Sequence, residues 1–257
     1  MNILENIISQ RREDIEAAKR RISVDELKEL AQRRVHHSLA GKIQEAQGTC
    51  IIAEVKKASP SAGLFREDYQ PAEIAREYQA AGAVGVSVLT EPNFFQGSGQ
   101  HLREVRGAVD LPVLRKDFII DAYQIYEAVA WGADVILLIV AALDEKQLQV
   151  LYEASVECGL EVLAEVHAEE ELKAALALER VIIGVNSRNL STLETDLSVA
   201  RGLAEKIPES SITIAESGIH SRMDIENLEQ AGYNGFLIGE ALMSNQRPGE
   251  QLSSFLV

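Results

Sequence analysis

Eight short apolar runs, separated by amphipathic or turn-rich stretches, limit what this chain can fold into. They are Ile51–Val55, Gly85–Leu89, Pro112–Leu114, Val135–Val140, Glu161–Val166, Val181–Val185, Ile212–Ala215 and Phe236–Ile238. Strands covered on both faces read as near-continuous aliphatic runs, as in parallel sheets. Between them lie patterns such as Pro71-Ala-Glu-Ile-Ala-Arg-Glu-Tyr-Gln-Ala-Ala and Asp144-Glu-Lys-Gln-Leu-Gln-Val-Leu-Tyr-Glu-Ala. Both place apolar residues at helical spacing after a proline or acidic start. Gly82, Gly132, Gly159 and Gly232 stand where helix C-caps favour glycine. Strand and helix in strict alternation imply a parallel sheet, and eight such units predict an α/β fold, a closed (β/α)8 TIM barrel. A doubly wound open sheet is the alternative, but no G-x-G-x-x-G follows the first run.

The length of 257 residues suits one barrel, so a single domain is expected over 1–257, with 1–48 as an N-terminal helical extension. In that extension Ile3, Leu4, Ile7, Ile8, Ile15 and Ile22 recur at roughly helical spacing among Arg and Glu. They predict one or two extra helices packed on the barrel, capping one end. The chain ends soon after the eighth unit, so no fused second barrel is expected.

A formal net charge of −15 argues against nucleic acid or an anionic membrane as partner. An anionic small molecule must then be held by local groups. No apolar run approaches the roughly 20 residues of a membrane span, and the N-terminus has no signal-peptide pattern. Cys50 and Cys158 lie outside any CxxC or Cys/His cluster, which predicts free core thiols and a cytoplasmic setting. His36, His37, His101, His167 and His220 show no metal-ligand spacing and follow no catalytic strand pattern, so no metal is expected. Trp131 and Tyr126 read as helix residues, core or surface.

In a barrel of this kind the active site lies at the C-terminal ends of the strands. Those ends are polar here: Glu54 and Lys56, Arg115-Lys116-Asp117, Glu165, Asn186-Ser-Arg188, Glu216-Ser217-Gly218 and Gly239-Glu240. Strand side chains alternate faces, so Ile52, Glu54 and Lys56 point one way. Leu114 and Lys116, Leu163 and Glu165, Gly184 and Asn186, and Ile214 and Glu216 pair likewise. If these faces line the barrel, two lysines and three carboxylates surround one cavity, a set able to hold opposite protonation states as general acid and base. Arg115 would face the helices in a structural ion pair.

The seventh and eighth strand ends, Ala215-Glu-Ser-Gly-Ile219 and Gly235-Phe-Leu-Ile-Gly-Glu-Ala-Leu-Met243, are glycine-bearing strand-to-helix turns. At that place barrels commonly bind phosphate through backbone N–H groups. Phe95, in Phe94-Phe-Gln-Gly-Ser98 after the second strand, could cover an aromatic ring or simply pack its loop.

The ordered motifs Ile52-Ala-Glu-Val-Lys-Lys-Ala-Ser-Pro-Ser61, Ser87-Val-Leu-Thr90, Phe94-Phe-Gln-Gly-Ser98 and Pro112-Val-Leu-Arg-Lys-Asp-Phe118 are informative together. With Ala133-Asp-Val-Ile-Leu-Leu-Ile139, Ile183-Gly-Val-Asn-Ser-Arg-Asn-Leu190 and the two turns above, they closely resemble the indole-3-glycerol-phosphate synthase family. The resemblance implies a cofactor-free lyase that closes an indole ring with loss of carbon dioxide and water. It implies Lys116 as the general acid and Glu165 as an aid to later proton removal. Glu54 and Lys56 would orient the anthranilate end, and Lys56 could share the second proton transfer. Asn186 and Glu216 match active-site positions and Arg188 a substrate-binding one. Ser59, Ser217, Gly218, Gly239 and the Glu240 amide would surround the phosphate, with Phe95 and Leu137 flanking the ring. Ala62 departs from the lysine frequent in relatives, at a non-catalytic position. The alternatives are a non-catalytic barrel or another phosphate-binding one, such as phosphoribosylanthranilate isomerase. The expected partner is a small phosphorylated substrate, and the expected assembly a monomer or weak homo-oligomer.

Overall fold

The computed structural model describes residues 3–31 and 35–256. Met1 and Asn2, where the signal-peptide reading begins, residues 32–34 and Val257 lie outside the described residues. The barrel strands are β1 (Ile51–Val55), β2 (Gly85–Leu89), β3 (Val113–Lys116), β4 (Val135–Ile139), β5 (Glu161–Val166), β6 (Ile182–Asn186), β7 (Ile212–Glu216) and β8 (Gly235–Ile238). All neighbours pair in parallel, and β8 returns to β1 to close the sheet. The outer helices are α4 (Pro71–Ala81), α5 (Gly99–Arg106), α6 (Ala122–Trp131), α7 (Glu145–Glu157), α8 (Glu169–Leu176), α9 (Ser198–Ala204) and α10 (Arg222–Gln230). After β8 come the short α11 (Glu240–Met243) and α12 (Pro248–Leu256).

Period-two alternation divides the strands between two cores. Ile52, Leu114, Leu137, Leu163, Ile182, Ile214 and Leu237 fill the barrel interior, while Ile51, Ala53, Val86, Ile136, Ala164 and Phe236 pack outward against the helices. Arg115 points outward as expected, with its guanidinium 2.9 Å from Asp117 and 3.1 Å from Glu127. Gly82 and Gly132 cap α4 and α6 at φ 100° and 92°, a backbone region that glycine enters without a Cβ clash.

Several strand boundaries differ from those read in sequence. β3, β6 and β7 continue through Lys116, Asn186 and Glu216, because ladder pairing to the neighbouring strand outweighs the polarity of these residues. Val140 leaves β4 for a 3-10 turn over Val140–Ala142, and Val181 precedes β6. Neither Cys50 nor Cys158 forms a disulfide, and only Cys50 is buried.

The extension also departs from expectation. Among the described residues it forms three α-helices before β1, not one or two: α1 (Ile3–Lys19), α2 (Val24–Leu30) and α3 (Leu39–Glu45). The last two are single-face helices of 7 residues, too short for a clear periodic pattern. Their starts are set by Ser23, in a capping box with Glu26, and by Ser38. Ile22 lies between helices and is exposed. Leu39 and Ile43 of α3 join the interior cluster, and Glu161 at the start of β5 accepts the Leu39 and Ala40 N–H groups at 2.9 and 3.0 Å. This helix therefore seals the N-terminal end of the barrel, while α1 reaches the opposite end. Among the described residues, no helix is long and apolar enough to cross a membrane.

Candidate active site

A cavity at the C-terminal ends of the strands brings together every candidate residue read from the sequence. Glu54, Lys56, Ser59, Phe95, Lys116, Leu137, Glu165, Asn186, Arg188, Glu216, Ser217, Gly218, Gly239 and Glu240 all line it. Strand register explains the convergence. Leu89 pairs with Lys116, Ile139 with Glu165, and Asn186 with Glu216, and each of these residues lies at or one residue before the C-terminal end of its strand.

Lys116 sits at the centre. Its Nζ is 2.6 Å from Glu216 Oε2 and 3.0 Å from Glu165 Oε2, a charge-assisted pair of contacts. Burial alone would lower the lysine's pKa, but Glu165, Glu216 and Glu54 outweigh it and hold the ammonium charged. The two carboxylates then diverge. Burial raises Glu216 to about 7, against the pull of Lys116 and with the repulsion of Glu165 added. Glu165 feels the same burial, yet Lys116, His167 and an Asn186 hydrogen bond bring it below its ordinary value. One carboxylate is thus a base at neutral pH, while its neighbour titrates there. Gly184 makes room for this arrangement: a Cβ on it would come 2.4 Å from Glu216 Oε1.

A second pair stands beside the first. Lys56 Nζ lies 2.6 Å from Glu54 Oε1 and 5.4 Å from the Phe65 ring centroid. Arg188 reaches across the mouth to Glu240 at 2.9 Å and to the Leu193 carbonyl at 3.2 Å. At the β7 and β8 ends, Ser217 and Gly218 both take positive φ, 66° and 78°, which turns the backbone at the pocket wall. Gly239 precedes α11 against Glu54: a Cβ there would meet Glu54 Oε1 at 2.2 Å.

The opposite wall is aromatic and aliphatic. Phe95 faces Phe118 with ring centroids 6.2 Å apart, above Leu137 and Ile139. Its loop is held by Glu91, a fully buried carboxylate that accepts the N–H groups of Asn93, Phe94 and Phe95 at 2.9, 2.7 and 2.9 Å. Ile3, Leu4 and Ile7 of α1 form the remaining cover.

Sequence reasoning passed over these α1 residues, Phe118, Glu91 and His167. The helical spacing marked the isoleucines as apolar without saying what they cover. Phe118 sat inside a quoted motif, and Glu91 looks like an ordinary loop acid. His167 is two residues beyond Glu165, just past the end of β5, so strand parity carried one residue further could have found it. Among the described residues, no three His, Cys, Asp or Glu side chains group as a metal site requires.

Fold and pocket define a (β/α)8 barrel of the acid–base type, with lysine and carboxylate side chains converging on one cavity. The model of the family described as Indole-3-glycerol phosphate synthase matches residues 4–255. An indole-3-glycerol phosphate synthase from Burkholderia ambifaria is 48% identical over 255 residues, covering 98% of each chain. One from Burkholderia multivorans is 47% identical over 255 residues with the same coverage. The chain belongs to the indole-3-glycerol phosphate synthase family. Its fold is also that of a tryptophan synthase alpha chain from Legionella pneumophila, with TM-score 0.63, 13% identity, and 86% of this chain and 96% of that one covered. A thiamine phosphate pyrophosphorylase from Pyrococcus furiosus matches with TM-score 0.62 and 16% identity, covering 85% and 96%.

Proposed function

We propose that the pocket carries out the family's reaction in tryptophan biosynthesis: closure of 1-(2-carboxyphenylamino)-1-deoxyribulose 5-phosphate to indole-3-glycerol phosphate. The observation that carries the residue roles is Lys116 held between Glu165 and Glu216 on the floor of an apolar, aromatic-walled cavity. Lys116 protonates the substrate carbonyl as the aromatic carbon attacks it, relieving charge where it develops. General acid help of this kind is worth about 10²–10⁴ in rate. Carbon dioxide leaves the same ring carbon. Glu165, ionised at neutral pH, removes a methylene proton and supports loss of the hydroxyl as water, with Asn186 and Glu216 holding the two groups in place.

Glu54 and Lys56 orient the carboxylate end of the substrate, and Lys56 is placed to share the second proton transfer. Phe95 and Leu137 flank the aromatic ring. Ser59, Ser217, Gly218, Gly239 and the Glu240 amide take the phosphate, with Arg188 at its rim. An acidic chain needs such local donors, because a net charge of −15 repels a substrate bearing both carboxylate and phosphate. We place the protein in the cytoplasm as a monomer or weak homo-oligomer. Residues 1–257 form one domain with 1–48 as its helical extension, a reading supported by α1 and α3 packing at the two ends of the barrel.

The test is the fluorescence rise on indole formation by purified protein. Turnover by wild type that falls at least about 10²-fold in Lys116→Met is the expected result. Equal turnover by both would remove Lys116 from the chemistry.

A further inference from the structure

His167 immediately follows β5, and its ring lies between two carboxylates. Nε2 is 3.4 Å from Glu165 Oε1, and Nδ1 is 3.3 Å from Glu171 Oε2 on α8. The same Glu171 oxygen accepts the His167 backbone N–H at 2.7 Å, which fixes the residue in place. Nε2 is buried and makes no hydrogen bond of normal geometry. The Glu165 side chain is 2% exposed and that of Glu171 23% exposed. Lys116, Glu165, His167 and Glu171 therefore form a line from the pocket floor to solvent.

The proposed reaction makes a specific demand on such a line. The substrate carboxylate leaves as carbon dioxide and the carbonyl oxygen leaves as water. One hydrogen of that water comes from the methylene carbon and the other from the enzyme, so each turnover consumes one proton. Lys116 gives its proton to the carbonyl oxygen. Glu165 takes the carbon-bound proton and returns it to the departing hydroxyl. When chemistry is over, Glu165 is again a carboxylate and Lys116 is a neutral amine, one proton short, beneath a product that still fills the cavity.

We propose that His167 stores that proton, its imidazolium recharging Lys116 through Glu165 before the product leaves. The Nε2 proton passes to Glu165 Oε1, and a half-turn of the carboxyl group delivers it to the Lys116 amine, whose nitrogen lies 3.0 Å from Glu165 Oε2 in the structure. The ring is left neutral with its Nδ1–H on Glu171, and Nε2 is protonated from solvent once the pocket opens. The groups facing the ring suit this task. Burial pulls its basicity down, but the Glu171 hydrogen bond and the charges of Glu165, Glu171 and Glu216 outweigh that, so the imidazolium persists to higher pH than in a free histidine. His167 acts through Glu165 and does not touch substrate. The inference rests on the proposed acid–base roles of Lys116 and Glu165.

A single turnover in weak buffer with a pH indicator tests the store in the wild-type protein. Indole fluorescence should rise before the proton is drawn from solvent, with uptake following product release. Uptake in step with indole formation would overturn it. His167→Asn keeps a donor toward Glu171 but has no proton to give. Its kcat should fall at least about tenfold with KM within about twofold, and added imidazole should restore most of the loss. Wild-type kcat in the variant, or a loss that imidazole leaves untouched, rejects the store. A failure of the underlying catalytic reading looks different: Lys116→Met would then turn over like wild type, whatever His167 does.

Discussion

The Arg11 guanidinium lies within 3.2 Å of the Asp117 carboxylate and thereby joins the first helix to the residue just after Lys116. Asp117 also accepts Thr90 Oγ1 at 2.7 Å, Arg115 at 2.9 Å and the Phe118 N–H at 2.8 Å. Burial would favour the neutral acid, but Arg11 and Arg115 hold it ionised below its ordinary range. The cover formed by Ile3, Leu4 and Ile7 and the strand end bearing the central lysine are thus parts of one buried polar network.

Arg11→Met should therefore affect both stability and binding. Removing one member of a buried ion pair costs about 3–5 kcal/mol, and the lower end is expected because Asp117 keeps Arg115. Urea unfolding should show a loss of about 3 kcal/mol, and steady-state kinetics a raised KM as α1 loosens over the pocket. An unchanged unfolding midpoint would mean that α1 is held by its apolar face alone.

Glu91 offers a subtler change. Its two oxygens accept three successive backbone N–H groups, and Gln would turn an amide donor toward at least one of them. A buried donor left without an acceptor costs about 1–3 kcal/mol. Glu91→Gln is expected to lose stability of that size and to raise KM more than it lowers kcat, since the proposed role of the Phe95 loop is to flank the substrate ring, away from the reacting atoms. A fall in kcat at constant KM would contradict that assignment.

Gly184→Ala tests the room left for Glu216. The new methyl would also meet Leu163 at 3.2 Å, while the carboxylate at 2.4 Å must move away from Lys116. Rate measurements should show kcat down by roughly tenfold or more, a small displacement beside the proposed general acid being costly. A fully active variant would show that the Lys116–Glu216 contact is dispensable.

The pH dependence follows from the opposite shifts of the two carboxylates. The folded chain binds the Glu216 proton more tightly than the unfolded chain does. That contribution to stability is present at acid pH and is lost as pH rises from 4.5 to about 7. Glu165 has the reverse sign: its contribution is present at neutral pH and is lost as pH falls through and below the ordinary 4.5. Glu216→Gln should flatten the decline in unfolding free energy across the first window and remove an inflection of kcat/KM near pH 7. The same slope and profile in the variant would assign the titration to another group.

Much of this was legible beforehand, for definite reasons. Aliphatic runs at regular spacing dictate parallel strands, and period-two parity already put Lys116, Glu165, Asn186 and Glu216 on inward faces. Glycine-bearing turns after Glu216 and Ile238 likewise fell at the wall of the pocket. These signals are local, set by alternation and by backbone conformations that few residues adopt.

Tertiary structure decided what depends on distances between segments far apart in the chain. Only folding brings Ile3 and Leu4 over a cavity whose floor is Leu137, or Arg11 against Asp117. Only the closed register puts Lys116 between Glu165 and Glu216, and burial there, which no residue type encodes, drives two identical carboxyl groups in opposite directions. His167 was discounted for lack of a metal pattern, and its meaning came from Glu165 and Glu171 closing on its ring. Sequence determined which side chains face inward; the barrel decided which of them feel one another's charge, because Coulomb and desolvation energies depend on separation and exposure, not on order along the chain.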